Sequence, residues 1–247
     1  MYPDQSKIEK MKIAADICSD IYKQIIAAAK PGTTLLALDK LAEQLCSDNK
    51  VLPAFKGYEG FPATLCVSPN DIVVHGIPDQ TKIKEGDVLG IDLGIKYQDV
   101  YSDMSYTIAV GGYKDEVTKK FVETVKKATL AGIAKAIPGN KVGDIGAAMQ
   151  EVVESNGYSV VKEMVGHGVG YELHEDPNIP GYGKKGRGEL LYKGQTLAIE
   201  AIVNQGSADI FIDSEDGWTT YTEDGMLSAI FEHTIIVDED PVILTKW

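Results

Sequence analysis

EGDVLGIDLG (85–94) and KGQTLAIEAI (193–202) superpose at an offset of 108 residues, placing Gly86 on Gly194, Leu89 on Leu197, Ile91 on Ile199 and Asp92 on Glu200. Each is an apolar run of strand length that carries one carboxylate. The chain repeats itself upstream of both. An amphipathic run over 6–30 stops at Pro31-Gly32 and a helix is expected over 35–49. A second run over 115–137 stops at Pro138-Gly139 and a helix is expected over 142–156. Setting Pro31 on Pro138, an offset of 107, brings Leu35 onto Val142, Leu38 onto Ile145, Ala42 onto Met149 and Asn49 onto Asn156. Short amphipathic helices match by chance, but chance accounts poorly for a strand and an acid recurring at nearly the same offset. Two copies are too few for a solenoid. The reading is one pseudo-symmetric domain over 1–247, with halves at about 7–110 and 115–240.

Further strands are expected at 65–68, 71–77, 87–95, 99–110, 159–165, 196–203, 209–213 and 228–237. The fold class is therefore α+β, with antiparallel strands dominating the sheet. The 247 residues carry 24 Lys+Arg and 37 Asp+Glu, a formal charge of −13, which argues against a constitutive grip on nucleic acid or anionic lipid. No apolar stretch approaches membrane-spanning length, and MYPDQSKIEKMK at the start has no apolar signal region. Cys18, Cys46 and Cys66 are odd in number and contain no CxxC pair, which fits a reducing compartment. A cytoplasmic location is expected.

The acids fall in pairs. Asp92 and Asp103 lie on consecutive strands around KYQD (96–99); the turn is expected to centre between Tyr97 and Gln98, which sets the two carboxylates opposite one another. Glu200 and Glu232 repeat the arrangement about a centre at 216, near Asp216-Gly217. Carboxylates in such apolar strands are rarely buried unless paired or holding a cation; two exposed strand acids are the competing reading. His167 sits among Gly166, Gly168 and Gly170, where the backbone can approach a site closely. His233, next to Glu232 on a strand, should point to the opposite face and serve packing. Four carboxylates and one imidazole without thiolates suit hard or borderline divalent ions. Two bridging carboxylates could hold a pair of them about 3.5–4 Å apart, as in dinuclear hydrolases.

NDIVVHGIP (70–78), IDLGIKYQDVYSDMS (91–105), GHGVGYELHEDP (166–177), TLAIEAIVNQG (196–206) and LSAIFEHTIIV (227–237) together resemble the type I methionine aminopeptidases, whose fold is the pita-bread fold. The resemblance covers essentially the whole chain. It implies that Asp92 chelates one metal, that His167 and Glu200 hold mainly a second, and that Asp103 and Glu232 bridge them. It implies substrate contacts for His174 near the scissile carbonyl and for His75 near the amide nitrogen, and a proton-shuttling role for Glu200. Two divalent ions are expected, with Co, Mn, Fe, Zn and Ni all compatible with the donors. The substrate implied is the N-terminal peptide of nascent proteins, cut after methionine when the second residue is small. Tyr2 is large, so the chain is expected to keep its own Met1.

The same resemblance puts Tyr58, Phe61, Cys66 and Trp218 in the methionine pocket, although each alone reads equally well as core. Cys66, between apolar neighbours, reads as a packed thiol rather than a nucleophile. Three positions depart from the family pattern: Phe55 replaces a usual cysteine at the pocket wall, Leu173 a usual aromatic, and Ala201-Ile202 a usual Pro-Met. A reduced or shifted side-chain preference follows. Prolidase-like enzymes of the same fold usually have a histidine where this chain has Glu163, and a large extra N-terminal domain. A non-catalytic pita-bread binding protein is disfavoured because all five ligand positions hold competent residues. Gly181, Gly183 and Gly186 spell GxGxxG without the flanking strand and helix that a nucleotide site needs, so a loop is expected. Its Lys184, Lys185 and Arg187 read as a solvated surface more readily than as a transient ribosome contact. A monomer without nucleic-acid or membrane binding is expected.

Overall fold

The computed structural model describes residues 4–247. Met1 and Tyr2, on which the retention of the initiator residue turns, lie outside the described residues. Four helices form: α1 (Gln5–Ala28), α2 (Leu35–Asp48), α3 (Glu116–Ile133) and α4 (Val142–Ser155). Side-chain oxygens cap three of them, Asp4 on the Lys7 amide, Thr34 on the Ala37 amide and Asp115 on the Thr118 amide. α3 stops four residues short of the expected end. Lys135 and Ala136 bond back three residues, to Gly132 and Ile133, so the chain tightens ahead of Pro138, which disfavours helical geometry before it.

In chain order the strands are β1 (Leu52–Pro53), β2 (Cys66–Pro69), β3 (Ile72–Val74), β4 (Val88–Tyr97) and β5 (Val100–Ala109), then β6 (Ser159–Val160), β7 (Gly166–Gly168) and β8 (Glu175–Ile179). β9 (Thr196–Asn204), β10 (Ile210–Ile212), β11 (Thr220–Thr222), β12 (Ser228–Ile236) and β13 (Val242–Ile243) complete them. The large sheet runs β1-β4-β5-β12-β9-β7-β8, with β2 beside β4, β6 beside β9 and β13 beside β12. β10-β11-β3 is a separate small sheet. Every pairing is antiparallel. The strand expected over 159–165 breaks after Val160: Lys162 gives its amide to the Glu163 side chain instead of a neighbouring strand, and residues 163–165 line a cavity.

The two largest apolar clusters lie between helices and sheet. One joins α1 and α2 to β4 and β5 through Ile21, Tyr22, Ile25, Leu38, Leu89 and Ile91; the other joins α3 and α4 to β9 and β12 through Phe121, Val125, Met149, Leu197, Ile199 and Phe231. Burial of each such large side chain contributes about 1.5–3 kcal/mol. The β5–β12 pairing, Glu232 opposite Ser105 and His233 opposite Met104, joins the two parts of the sheet.

Register separates the two acid pairs. Glu200 pairs directly with Glu232, as the sequence predicts. Asp92 and Asp103 do not face each other: Asp92 lies opposite Ser105 and Asp103 opposite Gly94. The turn is one residue further along than expected, because Tyr97 pairs with Val100 and leaves Gln98-Asp99 as a two-residue loop. Gln98 takes a φ of 54°, the left-handed geometry such tight loops require.

Candidate metal and peptide site

Antiparallel register converts the sequence into two parallel rows on one face of the sheet. The first row is Cys66, Asp92, Ser105, Glu232 and Glu200, each directly opposite the next on β2, β4, β5, β12 and β9. The second lies two residues along. Gly94 faces Asp103, whose amide and carbonyl both bond the Thr234 hydroxyl; Thr234 faces Ala198, and Ala198 faces His167. Alternation puts all ten side-chain positions on the same face. One ligand atom each from Asp103, His167 and Glu232 falls within 4.8 Å of the others. Asp92 and Glu200 line the same cavity, which measures about 480 Å³.

These acids are stacked in an apolar wall, and their electrostatics are unfavourable without a cation. Burial pushes Asp103 up to about 7 and Glu200 up to about 8, the latter with a contribution from Asp103. Burial and the neighbouring carboxylates hold Asp92 and Glu232 well above the usual range. Asp92 Oδ1 and Asp103 Oδ1 are buried without a hydrogen-bond partner. Buried oxygens without partners cost free energy that a bound cation would offset. The set of carboxylate oxygens and one imidazole, with no thiolate among the converging donors, therefore fits a hard or borderline divalent ion.

His167 offers a further donor atom to this cluster. Its Nδ1 lies 2.9 Å from the Gly168 carbonyl, which can only accept, so Nδ1 carries the proton and Nε2 presents its lone pair. Burial, with His174 nearby, pulls its pKa down to about 4, keeping the ring neutral. His174 packs edge-on to His167 at 4.4 Å between centroids, and burial lowers its pKa too. His233 points away from the acids: its Nδ1 meets Thr245 Oγ1 at 2.9 Å and its ring stacks on Trp247 at 3.6 Å.

The pocket residues also converge. Phe55, Phe61, Cys66 and Leu173 form one buried cluster with Tyr58 and Trp218 against it, and His75 completes the same wall. Trp218 packs edge-on to Phe61 at 5.3 Å. Asp216 fixes that loop by accepting the Trp218 and Thr219 amides at 2.7 and 2.8 Å. Cys66 is buried and its thiol is pushed well above its ordinary range, so it packs and does not react. His75 adopts a left-handed φ of 57°, rare for a residue with a side chain and typical of positions whose orientation matters. Sequence reasoning missed several neighbours. Ser105 and Thr234 fill the gaps between acids, and Met164, Asn178 and Ile230 line the cavity. It also missed that the Tyr58 hydroxyl sits 2.9 Å from His174 Nδ1, a contact across 116 residues with no local signature.

The GYGKKGRGEL segment is a loop. It clasps the start of α4, where the Arg187 and Glu189 carbonyls accept the Gly143 and Val142 amides.

Comparison with known proteins agrees with this geometry. The chain is 42% identical to a methionine aminopeptidase of Clostridium acetobutylicum, over 98% of this chain and 97% of that one. It is 41% identical to methionine aminopeptidase 1 of Bacillus subtilis, over 93% and 92%. The crystal structure of the Thermotoga maritima methionine aminopeptidase superposes with a TM-score of 0.96 at 41% identity, covering 100% of this chain and 99% of that one. A Pyrococcus horikoshii prolidase, 23% identical, shares the fold with a TM-score of 0.79 over 99% of this chain and 63% of its own. The architecture is the pita-bread fold these structures have in common. The pattern of metallopeptidase family M24 matches residues 9–239, and the chain belongs to that family.

Proposed function

We propose that this protein is a methionine aminopeptidase that removes the N-terminal methionine from nascent chains whose second residue is small. The observation that carries the reading is the pair of donor rows opening into one cavity with Phe55, Tyr58, Phe61, Cys66, Leu173 and Trp218 on its wall. The relatives over nearly the full length bear the same name. Asp92, Asp103, His167, Glu200 and Glu232 would hold two divalent ions, drawn from Co, Mn, Fe, Zn or Ni. The ions, when bound, supply Lewis acidity and an activated water.

The chain's own residues do the rest. Phe55, Tyr58, Phe61, Cys66, Leu173 and Trp218 take up the methionine side chain and exclude water from it. His174 Nδ1 lies 2.9 Å from the Tyr58 hydroxyl, and in the tautomer in which that hydroxyl donates, Nε2 carries the proton and gives a hydrogen bond to the carbonyl oxygen as charge develops there. His75 lies across the pocket, where it contacts the amide nitrogen of the scissile bond. Glu200 moves a proton towards the departing amine. Phe55 and Leu173, in place of a smaller thiol and a flat ring, shift the side-chain preference.

The enzyme acts as one catalytic domain of two similar halves, as a monomer in the cytoplasm. Three free buried cysteines support a reducing compartment, and among the described residues no helix is long and apolar enough to cross a membrane. Turnover of Met-Ala-Ser against Ala-Pro peptides tests the reading. Release of methionine from the first is expected, and preference for the second would replace it with a prolidase-like activity.

A further inference from the structure

The turn that joins His167 to His174 is gripped from outside by the first turn of α1. Residues 170–174 run as bends between β7 and β8, carrying Leu173 of the pocket and His174. Glu175 is shared between this turn and the helix: Oε1 accepts the Glu172 amide at 3.0 Å, and Oε2 lies 3.2 Å from Lys7 Nζ. Tyr171 donates its hydroxyl to Asp4 Oδ2 at 2.6 Å, and the Lys7 ammonium stands 5.3 Å from the Tyr171 ring centre. The Gly170 carbonyl accepts the Tyr101 amide at 2.7 Å, and a Cβ on Gly170 would collide with the Lys7 ammonium. Lys7 and Glu175 are only 17% and 26% exposed, whereas Lys246 and Asp16, a pair that joins the C-terminal segment to α1, are 66% and 64% exposed.

A bend with few ladder hydrogen bonds takes its geometry from the side chains that hold it. Here those side chains belong to a helix turn far away in sequence, and the residue they hold still is adjacent to His174. We infer that Lys7 and Glu175 are positioning residues for peptide hydrolysis: their ion pair, with Asp4 on Tyr171, fixes the 170–174 turn so that His174 meets the substrate carbonyl at working distance. This rests on the aminopeptidase reading. Misplacement of a catalytic group by a fraction of an ångström lowers the chemical step more than it lowers binding.

Lys7→Met and Glu175→Gln test this, with Lys7→Arg as the conservative variant and Lys246→Met as the control. On Met-Ala-Ser, Lys7→Met is expected to lose about tenfold in kcat with KM within about twofold of the wild type. Lys7→Arg recovers the rate and Lys246→Met leaves it unchanged. The double variant loses no more than the worse single one, because both act through one contact. In metal-free protein, hydrogen exchange of the Glu172 amide speeds up in Lys7→Met while the unfolding temperature holds. Wild-type kcat in Lys7→Met, unchanged exchange at Glu172, or a loss of rate that tracks unfolding and that Lys7→Arg does not recover would each overturn the proposal. If the wild type itself releases no methionine, the aminopeptidase reading fails. The exchange measurement then decides the clamp alone, faster exchange upholding it and unchanged exchange removing it.

Discussion

The two acid pairs lie on two antiparallel strand pairs of one sheet, β4–β5 and β9–β12, yet they are set differently. In β9 and β12 the glutamates stand directly opposite. In β4 and β5 the aspartates are staggered by two residues, with Ser105 and Gly94 as their partners. The stagger distributes the donors. Asp92 joins the glutamates in the first row, while Asp103 moves into the second row towards His167. A cluster with two unlike ends results, four carboxylates and one imidazole. A strict repeat would have put all four acids in one row and left His167 without an acidic companion in its own. The difference in register makes the site asymmetric.

Removing the staggered acid should have the largest effect. Asp103→Asn is expected to lose on the order of a thousandfold in kcat/KM for Met-Ala-Ser at saturating metal, since several kcal/mol of charge stabilisation pass through that position. A loss below about tenfold would mean that the stagger has no chemical consequence. Next comes the cost of burying Glu200 beside Asp103. Glu200 is raised from 4.5 to about 8, so the folded state holds its proton more tightly than the unfolded chain does. The corresponding stability is fully present below pH 4.5 and is lost as pH rises towards 8. Metal-free protein should therefore melt at lower temperature at the upper end of that window. Glu200→Gln should recover about 5 °C there in calorimetry; a flat profile in the wild type would contradict the burial of Glu200 beside Asp103.

Gly94 sharpens the comparison from the pocket side. It faces Asp103, and a Cβ there would lie 2.7 Å from the Phe55 ring and 2.9 Å from Ala54 Cβ. Gly94→Ala should push the ring into the pocket, raising KM for methionyl peptides about tenfold with a smaller effect on peptides that begin with alanine. Equal effects on both would place the disturbance outside the pocket. The smallest change is expected from Tyr58→Phe, which removes the hydrogen bond to His174 Nδ1 and should lower kcat about fivefold at unchanged KM. A rise in KM alone would make Tyr58 a pocket wall and nothing more.

The helices and the acid-bearing strands were legible because their signals are local: apolar period, Pro-Gly stops and one acid per strand all lie within short windows. Helix bounds came within a few residues for the same reason, and the direct pairing of Glu200 with Glu232 followed from strand spacing. The stagger of Asp92 and Asp103 was not legible. It depends on whether the turn closes on Tyr97-Gln98 or on Gln98-Asp99, and neither pair carries the glycine that would decide. Ser105 and Thr234 are ordinary strand residues until register sets them between acids. The contacts of Tyr58 with His174 and of Lys7 with Glu175 join residues more than a hundred positions apart, and only folding brings them together.

The central claim is that the four carboxylates and His167 form one divalent-metal site that cuts the first peptide bond after methionine. Methionine release from Met-Ala-Ser, measured across Co(II), Mn(II), Fe(II), Zn(II) and Ni(II) for the wild type and for Glu200→Ala, tests it most directly. Release by the wild type only when a divalent ion is supplied, and none above background in Glu200→Ala with any of them, is the predicted result. Wild-type release by Glu200→Ala would contradict it.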